Sequence, residues 1–254
     1  MKKIFLFFSA VLISFMIGIY YHNSSPGLII GKFALDSLEK AGDLKYKINF
    51  LNVLPMGEAT LFAAKTEEYH GSAVYHLSAN AKTSGLVAKF FSAKAMLDSY
   101  VDKQDNNPLY FKQKLQISGK PDTEKEVLYD QKSHIMSVAG VRRSILPDTQ
   151  DPLSAMLHLS KMDFDQISDF EMNINTNQKN YSLKGTVKPQ VISSKGRKFK
   201  AYLLKAEIKR RDKNNPYHRS RITMVVLKAD RNIPILIKVF ASGALINARL
   251  IENK

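Results

Sequence analysis

Cysteine is absent from this 254-residue chain, and that absence removes several chemistries at once. Disulfides, thiol nucleophiles, thiolate metal sites and the lipid-modified cysteine of a bacterial lipoprotein are all excluded. A glycine-rich phosphate loop is missing too, because the 12 glycines are scattered and mostly sit in turn contexts. The six histidines are His22, His70, His76, His134, His158 and His218, and they form no H-E-x-x-H box. His70 and His76 come nearest to a pair, but they flank Gly71 and read as turn and strand-surface residues. The serines carry no G-x-S-x-G elbow. Glu67 with Glu68, and Asp163 with Asp165, are neighbours in sequence only. An acid–base pair needs convergence in space, so they read as solvated carboxylates. The sequence therefore implies no catalytic residue, no metal and no cofactor.

Acidic residues are also in short supply. Lys and Arg number 38 against 23 Asp and Glu, a formal net charge of +15. Only Lys2 and Lys3 belong to the N-terminal signal, so the folded part is itself cationic. Such a field either keeps the protein soluble or favours an anionic partner. For an exported chain the anionic candidates are lipid headgroups and envelope polymers, and no nucleic acid is expected.

What is present begins with a long apolar run. Met1-Lys2-Lys3 precedes Ile4 to Tyr21, which carries no charge. Lysine at the start holds that end in the cytoplasm. Eighteen residues at about 1.5 Å each just cross a bilayer core. The run ends in Ile19-Tyr20-Tyr21-His22, bulky residues that suit an interfacial aromatic belt better than a peptidase site. Residues 1–25 are thus expected to be an uncleaved inner-membrane anchor, with a signal peptide cleaved after Ser24 or Ser25 as the alternative. Either way the rest of the chain faces the periplasm. Residues 26–43 read as a linker with a short amphipathic helix over Leu28 to Lys40, and residues 44–254 as one antiparallel β domain.

From Leu44 the apolar period becomes two. Tyr46, Ile48 and Phe50 alternate with Lys45, Lys47 and Asn49, the pattern of a half-buried strand. Pro55-Met56-Gly57 reads as a turn, with Glu58 to Thr66 as the hairpin partner. Further strands are expected over Ser72 to Thr83, Met96 to Asp102, Leu109 to Ile117, Glu124 to Tyr129 and His134 to Val138. A second series covers Asp169 to Asn175, Tyr181 to Val187, Lys198 to Lys209, Arg219 to Lys228, Ile233 to Phe240 and Leu245 to Ile251. About a dozen short strands at this spacing predict a curved antiparallel sheet or open half-barrel, a mainly β fold. Two segments depart from it. Leu86 to Ala93 is compatible with a short helix. Asp151 to Leu159 is a clearer one, with Asp151 as N-cap, Pro152 at the first helical position and Ser154 as a first-turn capping residue.

Several segments together resemble a bacterial exported family without assigned activity, the domain of unknown function 3108. They are Gly42-Asp43-Leu44-Lys45-Tyr46 with Pro55-Met56-Gly57-Glu58-Ala59, and Ser84-Gly85 with Ser99-Tyr100-Val101-Asp102. Asp151-Pro152-Leu153-Ser154-Ala155 follows, then Leu227 to Pro234 with Ala248-Arg249-Leu250. The likeness runs in order from about residue 42 to the end. Asp43 and Lys228 depart from the family's usual Glu and small polar residue. The resemblance implies a curved antiparallel sheet akin to the half-barrels of lipoprotein carriers, and it implies no active site.

Such a sheet can hold an apolar ligand, a lipid or lipopeptide, on its concave face, with Leu86, Phe90 and Phe91 as a candidate lid. The alternative is an adaptor held to membrane or cell wall by a basic hairpin whose tip carries Lys209, Arg210, Arg211 and Lys213. A hydrolase would need carboxylates converging in a cleft.

Overall fold

The computed structural model describes residues 42–176, 178–194, 196–211, 219–229, 232–241 and 244–251. The anchor segment 4–21, the helix expected over Leu28 to Lys40, and Lys213 lie outside the described residues. Among the described residues, no helix is long and apolar enough to cross a membrane.

Those residues form one antiparallel sheet of fifteen strands, joined by two short helices. The first half comprises β1 (Leu44–Phe50), β2 (Leu54–Leu61), β3 (Lys65–Tyr69), β4 (Ser72–Thr83), β5 (Ala93–Asp102), β6 (Pro108–Ile117), β7 (Thr123–Asp130), β8 (Ile135–Val138) and β9 (Val141–Ser144). The second comprises β10 (Asp169–Thr176), β11 (Lys179–Ser194), β12 (Arg197–Arg210), β13 (Arg219–Leu227), β14 (Ile233–Ala241) and β15 (Ala244–Leu250). Helix α1 (Gly85–Phe90) sits between β4 and β5, and α2 (Pro152–Lys161) between β9 and β10. The halves are stitched by β15 pairing with β1, Tyr46 opposite Leu250 and Phe50 opposite Ile246. The sheet therefore runs from β10 through β15 and β1 to β9, with β3 off this path beside β4.

Alternation builds the interior. Ala93, Ala95, Leu97, Ser99 and Val101 of β5 are buried at every second position, as are Phe111, Gln113, Leu115 and Ile117 of β6, the period-2 signature of a sheet with one buried face. The mainly β, open-sheet expectation holds, although the strands number fifteen.

Two local expectations need correcting. The first turn is at Leu51 and Asn52, both at positive φ (50° and 65°), while Pro55, Met56 and Gly57 lie inside β2. Proline is tolerated there because the register slips between Ile48 and Asn49, leaving Pro55 at the irregularity. Gly57 is required by close approach. A Cβ at this position would stand 2.3 Å from the Lys82 carbonyl oxygen. The expected partner strand is also divided, with β2 ending at Leu61 and β3 starting at Lys65. The first helix is shorter than expected, because Ala93 already belongs to β5.

The edges, β9 and β10, form no ladder with each other among the described residues. Residues 145–151 span the gap instead. Gln150 makes a single parallel bridge to Ile174, its N–H donating to Asn173 O at 2.8 Å and its carbonyl accepting from Asn175 N–H at 2.8 Å. Side-chain amides complete the strap: Asn173 Nδ2 donates to Pro147 O at 2.8 Å, Asn180 Nδ2 to Ser144 O at 3.0 Å, and Gln131 Nε2 to Thr149 O at 2.8 Å. Asn173 O, Asn175 N–H and Ser144 O, which an open edge would leave bare, are thus occupied.

Candidate ligand cavity beneath helix α2

The strap delivers the chain into α2, which lies on the buried face of the sheet. Leu153, Ala155 and Leu159 are its buried apolar side chains. Both ends of the helix are fixed. At the start, Asp151 Oδ1 accepts from the N–H groups of Leu153 (2.7 Å) and Ser154 (3.0 Å). Ser154 Oγ accepts from Asp151 N–H at 2.8 Å, completing a reciprocal cap. The capping roles expected for Asp151, Pro152 and Ser154 are those observed. The other carboxylate oxygen, Oδ2, accepts from Ser99 Oγ on β5 at 2.5 Å, which pins the helix to the sheet. Asp151 and Ser99 are each 0% exposed. Burial raises the Asp151 pKa to about 6, against the lowering by its hydrogen bonds from Ser99 and the helix amides. At the far end, Asn232 N–H donates to Ser160 O at 3.1 Å, and its Nδ2 donates to Met162 O at 2.6 Å.

A helix tethered at both ends does not settle fully onto the sheet. Between them lies an apolar cavity of about 110 Å³, walled by Tyr46, Leu61, Leu97, Leu183, Met224 and Ile237 from the strands and by Leu153, Met156 and Leu159 from α2. Thr60 and Asn80 are the polar residues of its lining. A second cavity of about 80 Å³ adjoins it toward the end of α2, lined by Leu44, Phe62, Leu77, Leu157, Ser160 and Asn232. Leu61, Leu153 and Met156 line both, so they form the partition. For scale, an engineered apolar cavity of about 150 Å³ stays dry and takes up benzene. The pair is thus large enough for a short hydrocarbon group, and the unbranched Met156 thioether is a side chain that can move to join them.

The sequence-predicted lid lies elsewhere. Leu86 is 68% and Phe90 89% exposed, while Phe91 is partly buried against the core. None of the three lines either cavity. The basic hairpin is likewise spread out. Lys209 and Arg210 end β12 and Arg211 follows it. Arg211 donates to Asn173 Oδ1 at 2.6 Å and lies 3.5 Å from Glu171, so part of this charge is spent within the fold. What the sequence does not indicate is that the lining residues share one space, or that Ser99 bonds to Asp151.

The remaining titratable candidates have structural partners. Asp165 pairs with Lys200 (2.6 Å) and Lys228 and accepts from the Tyr202 hydroxyl at 2.7 Å. Hydrogen bonds from the two lysines and Tyr202 hold its carboxyl well below the usual range. His76 lies between Glu67 (3.1 Å) and Asp98 (3.0 Å) and stacks on Tyr100, while His70 sits in the turn between β3 and β4 at φ 49°. Among the described residues, no group of three or more His, Cys, Asp or Glu could hold a metal ion.

The sequence model of a family described as "Protein of unknown function (DUF3108)" matches residues 45–246. No curated protein matches the chain. Among solved structures it is similar to a beta-barrel-like protein of domain of unknown function DUF1849 from Brucella abortus, with a TM-score of 0.57 at 9% identity. That likeness covers 83% of this chain and 95% of the other. At such low identity it shows the fold alone, an open barrel-like sheet. Because the family match takes in every strand from β1 to β15, at least in part, the chain belongs to the family described as "Protein of unknown function (DUF3108)".

Proposed function

We propose that this protein is a non-enzymatic binding or carrier module of the bacterial envelope that takes the apolar part of a lipid or lipopeptide into the cavity beneath α2. The observation that carries the reading is the cavity pair, apolar on nearly every wall and placed between a tethered helix and the concave face of the sheet. Ligand pockets are typically concave and apolar with few polar groups to orient the guest, and Thr60 and Asn80 fit that role here. Binding is favoured over catalysis because the buried carboxylate nearest the cavity, Asp151, spends both oxygens on the helix cap and Ser99. The envelope location rests on the N-terminal lysines and the uncharged run that follows them. The test is capture. The purified full chain, incubated with a total envelope lipid extract and washed, should retain lipid detectable by mass spectrometry. Recovery of the chain free of lipid at saturating extract would overturn the proposal.

A further inference from the structure

Beside the second cavity, two lysine ammonium groups gather on one tyrosine ring. Lys161, the last residue of α2, places its Nζ 4.2 Å from the centroid of the Tyr75 ring. Lys103, just beyond β5, places its Nζ 5.2 Å from the same ring. Tyr75 lies two residues before Leu77 on β4, and Leu157 lies one turn before Lys161 on α2. Leu77 and Leu157 both line that cavity. Neither ammonium forms an ion pair among the described residues; Lys161 has only Asn106 Oδ1 as a polar partner. The carboxylates of the neighbouring loops, Asp102, Asp105 and Asp148, form no ion pair with either lysine. Asp102 accepts from the N–H groups of Gln104 and Asp105, Asp105 accepts from Asn107 N–H, and Asp148 accepts from Asn107 Nδ2.

Two like charges gathered on one ring repel each other. The ring's negative face and the carbonyl end of α2 offset this repulsion in part. An anion placed between them would remove it. We propose that the ligand of the cavity is a single-chain amphiphile whose anionic head, a carboxylate or a phosphate, is received by Lys103 and Lys161 while its hydrocarbon tail enters beside Leu77 and Leu157. The inference rests on the cavity reading above and adds the sign of the headgroup.

Titration calorimetry on the full chain in neutral phosphatidylcholine nanodiscs, with empty nanodiscs subtracted, separates the two claims. Octanol reports the tail site alone, and octanoate reports tail and head together. Octanoate should bind about tenfold more tightly than octanol, the effect of one well-formed charge-assisted contact, and octylammonium should bind more weakly than either. The double variant Lys103→Gln/Lys161→Gln should lose the preference for octanoate and keep its affinity for octanol. Equal affinities for octanoate and octanol in the unmodified protein would overturn the headgroup site and leave the cavity standing. Displacement of octanoate by equimolar inorganic phosphate would also overturn it, by showing a site for free anions. Failure of octanol itself to bind would overturn the cavity reading, and this inference with it.

Discussion

Replacing Asp151 by Asn should remove one source of the pH dependence of stability and leave the helix cap in place. Asparagine caps helices about as well as aspartate, and its carbonyl can accept the two bonds now made by Leu153 and Ser154 N–H. Its amide can donate to Ser99 Oγ, which has lone pairs to accept. What disappears is the ionisation. The Asp151 carboxyl has a pKa of about 6 in the fold against an ordinary value of 3.8. Between those pH values the folded chain holds a proton that the unfolded chain has released, so stability falls as pH rises through that window and is level above it. A shift of roughly two units corresponds to about 3 kcal/mol. Urea unfolding of both proteins at pH 4, 5, 6 and 7 measures it. The difference between them isolates Asp151 from carboxylates such as Asp165, whose lowered pKa works in the opposite sense. The Asn variant should gain on the parent steadily from pH 4 to pH 6 and then hold its gain. A difference that does not vary with pH would refute the burial argument. The contrasting variant Asp151→Ala removes the ionisation too, but also the cap, and orphans Ser99, so it should lie about 2–4 kcal/mol below the Asn variant at every pH.

Other substitutions probe the frame around the cavity. Gly57→Ala drives a Cβ to within 2.3 Å of Lys82 O, so β2 and β4 must part. The loss should be about 2 kcal/mol or more by thermal unfolding. Tyr46→Phe deletes the buried bond from its hydroxyl to Pro234 O at 2.9 Å and should cost about 1 kcal/mol by urea titration. Asp165→Asn should lower hydrogen-exchange protection in residues 163–167, which this side chain ties to Lys200, Lys228 and Tyr202. Ala79→Leu extends a side chain into the larger cavity and should abolish octanol binding, with unfolding measurements confirming an intact fold.

Much of this architecture is legible in the sequence where one residue settles a local question. Tyr46-Lys47-Ile48 announces a half-buried strand, and Asp151-Pro152 announces a helix start, because alternation and capping act over a few residues. Strands without an apolar face escape notice. All four residues of β9, Val141 to Ser144, are exposed, and β3 reads Lys65-Thr66-Glu67-Glu68-Tyr69. Pro189 hides the length of β11. It is tolerated because β10 pairs with β11 only as far as Thr186, so the missing N–H faces a free edge. The candidate site is less legible still. Alternation marks Leu61, Leu153 and Met224 as apolar but not whether the space between them is filled. The apolar residues Leu86, Phe90 and Phe91 suggested a lid, whereas none of the three lines a cavity beneath α2. Lys103, Tyr75 and Lys161 meet only because the β5–β6 turn and the end of α2 reach the same rim.

On the reading proposed above, the space beneath α2 admits a hydrocarbon group. Crystals of the protein soaked in octanol test it most directly. An ordered alkyl chain should appear in contact with Leu61, Leu153 and Met156, with the Asp151–Ser99 bond intact. Leu153 and Met156 packed directly onto Ile237 and Met224, with no chain between them, would contradict it.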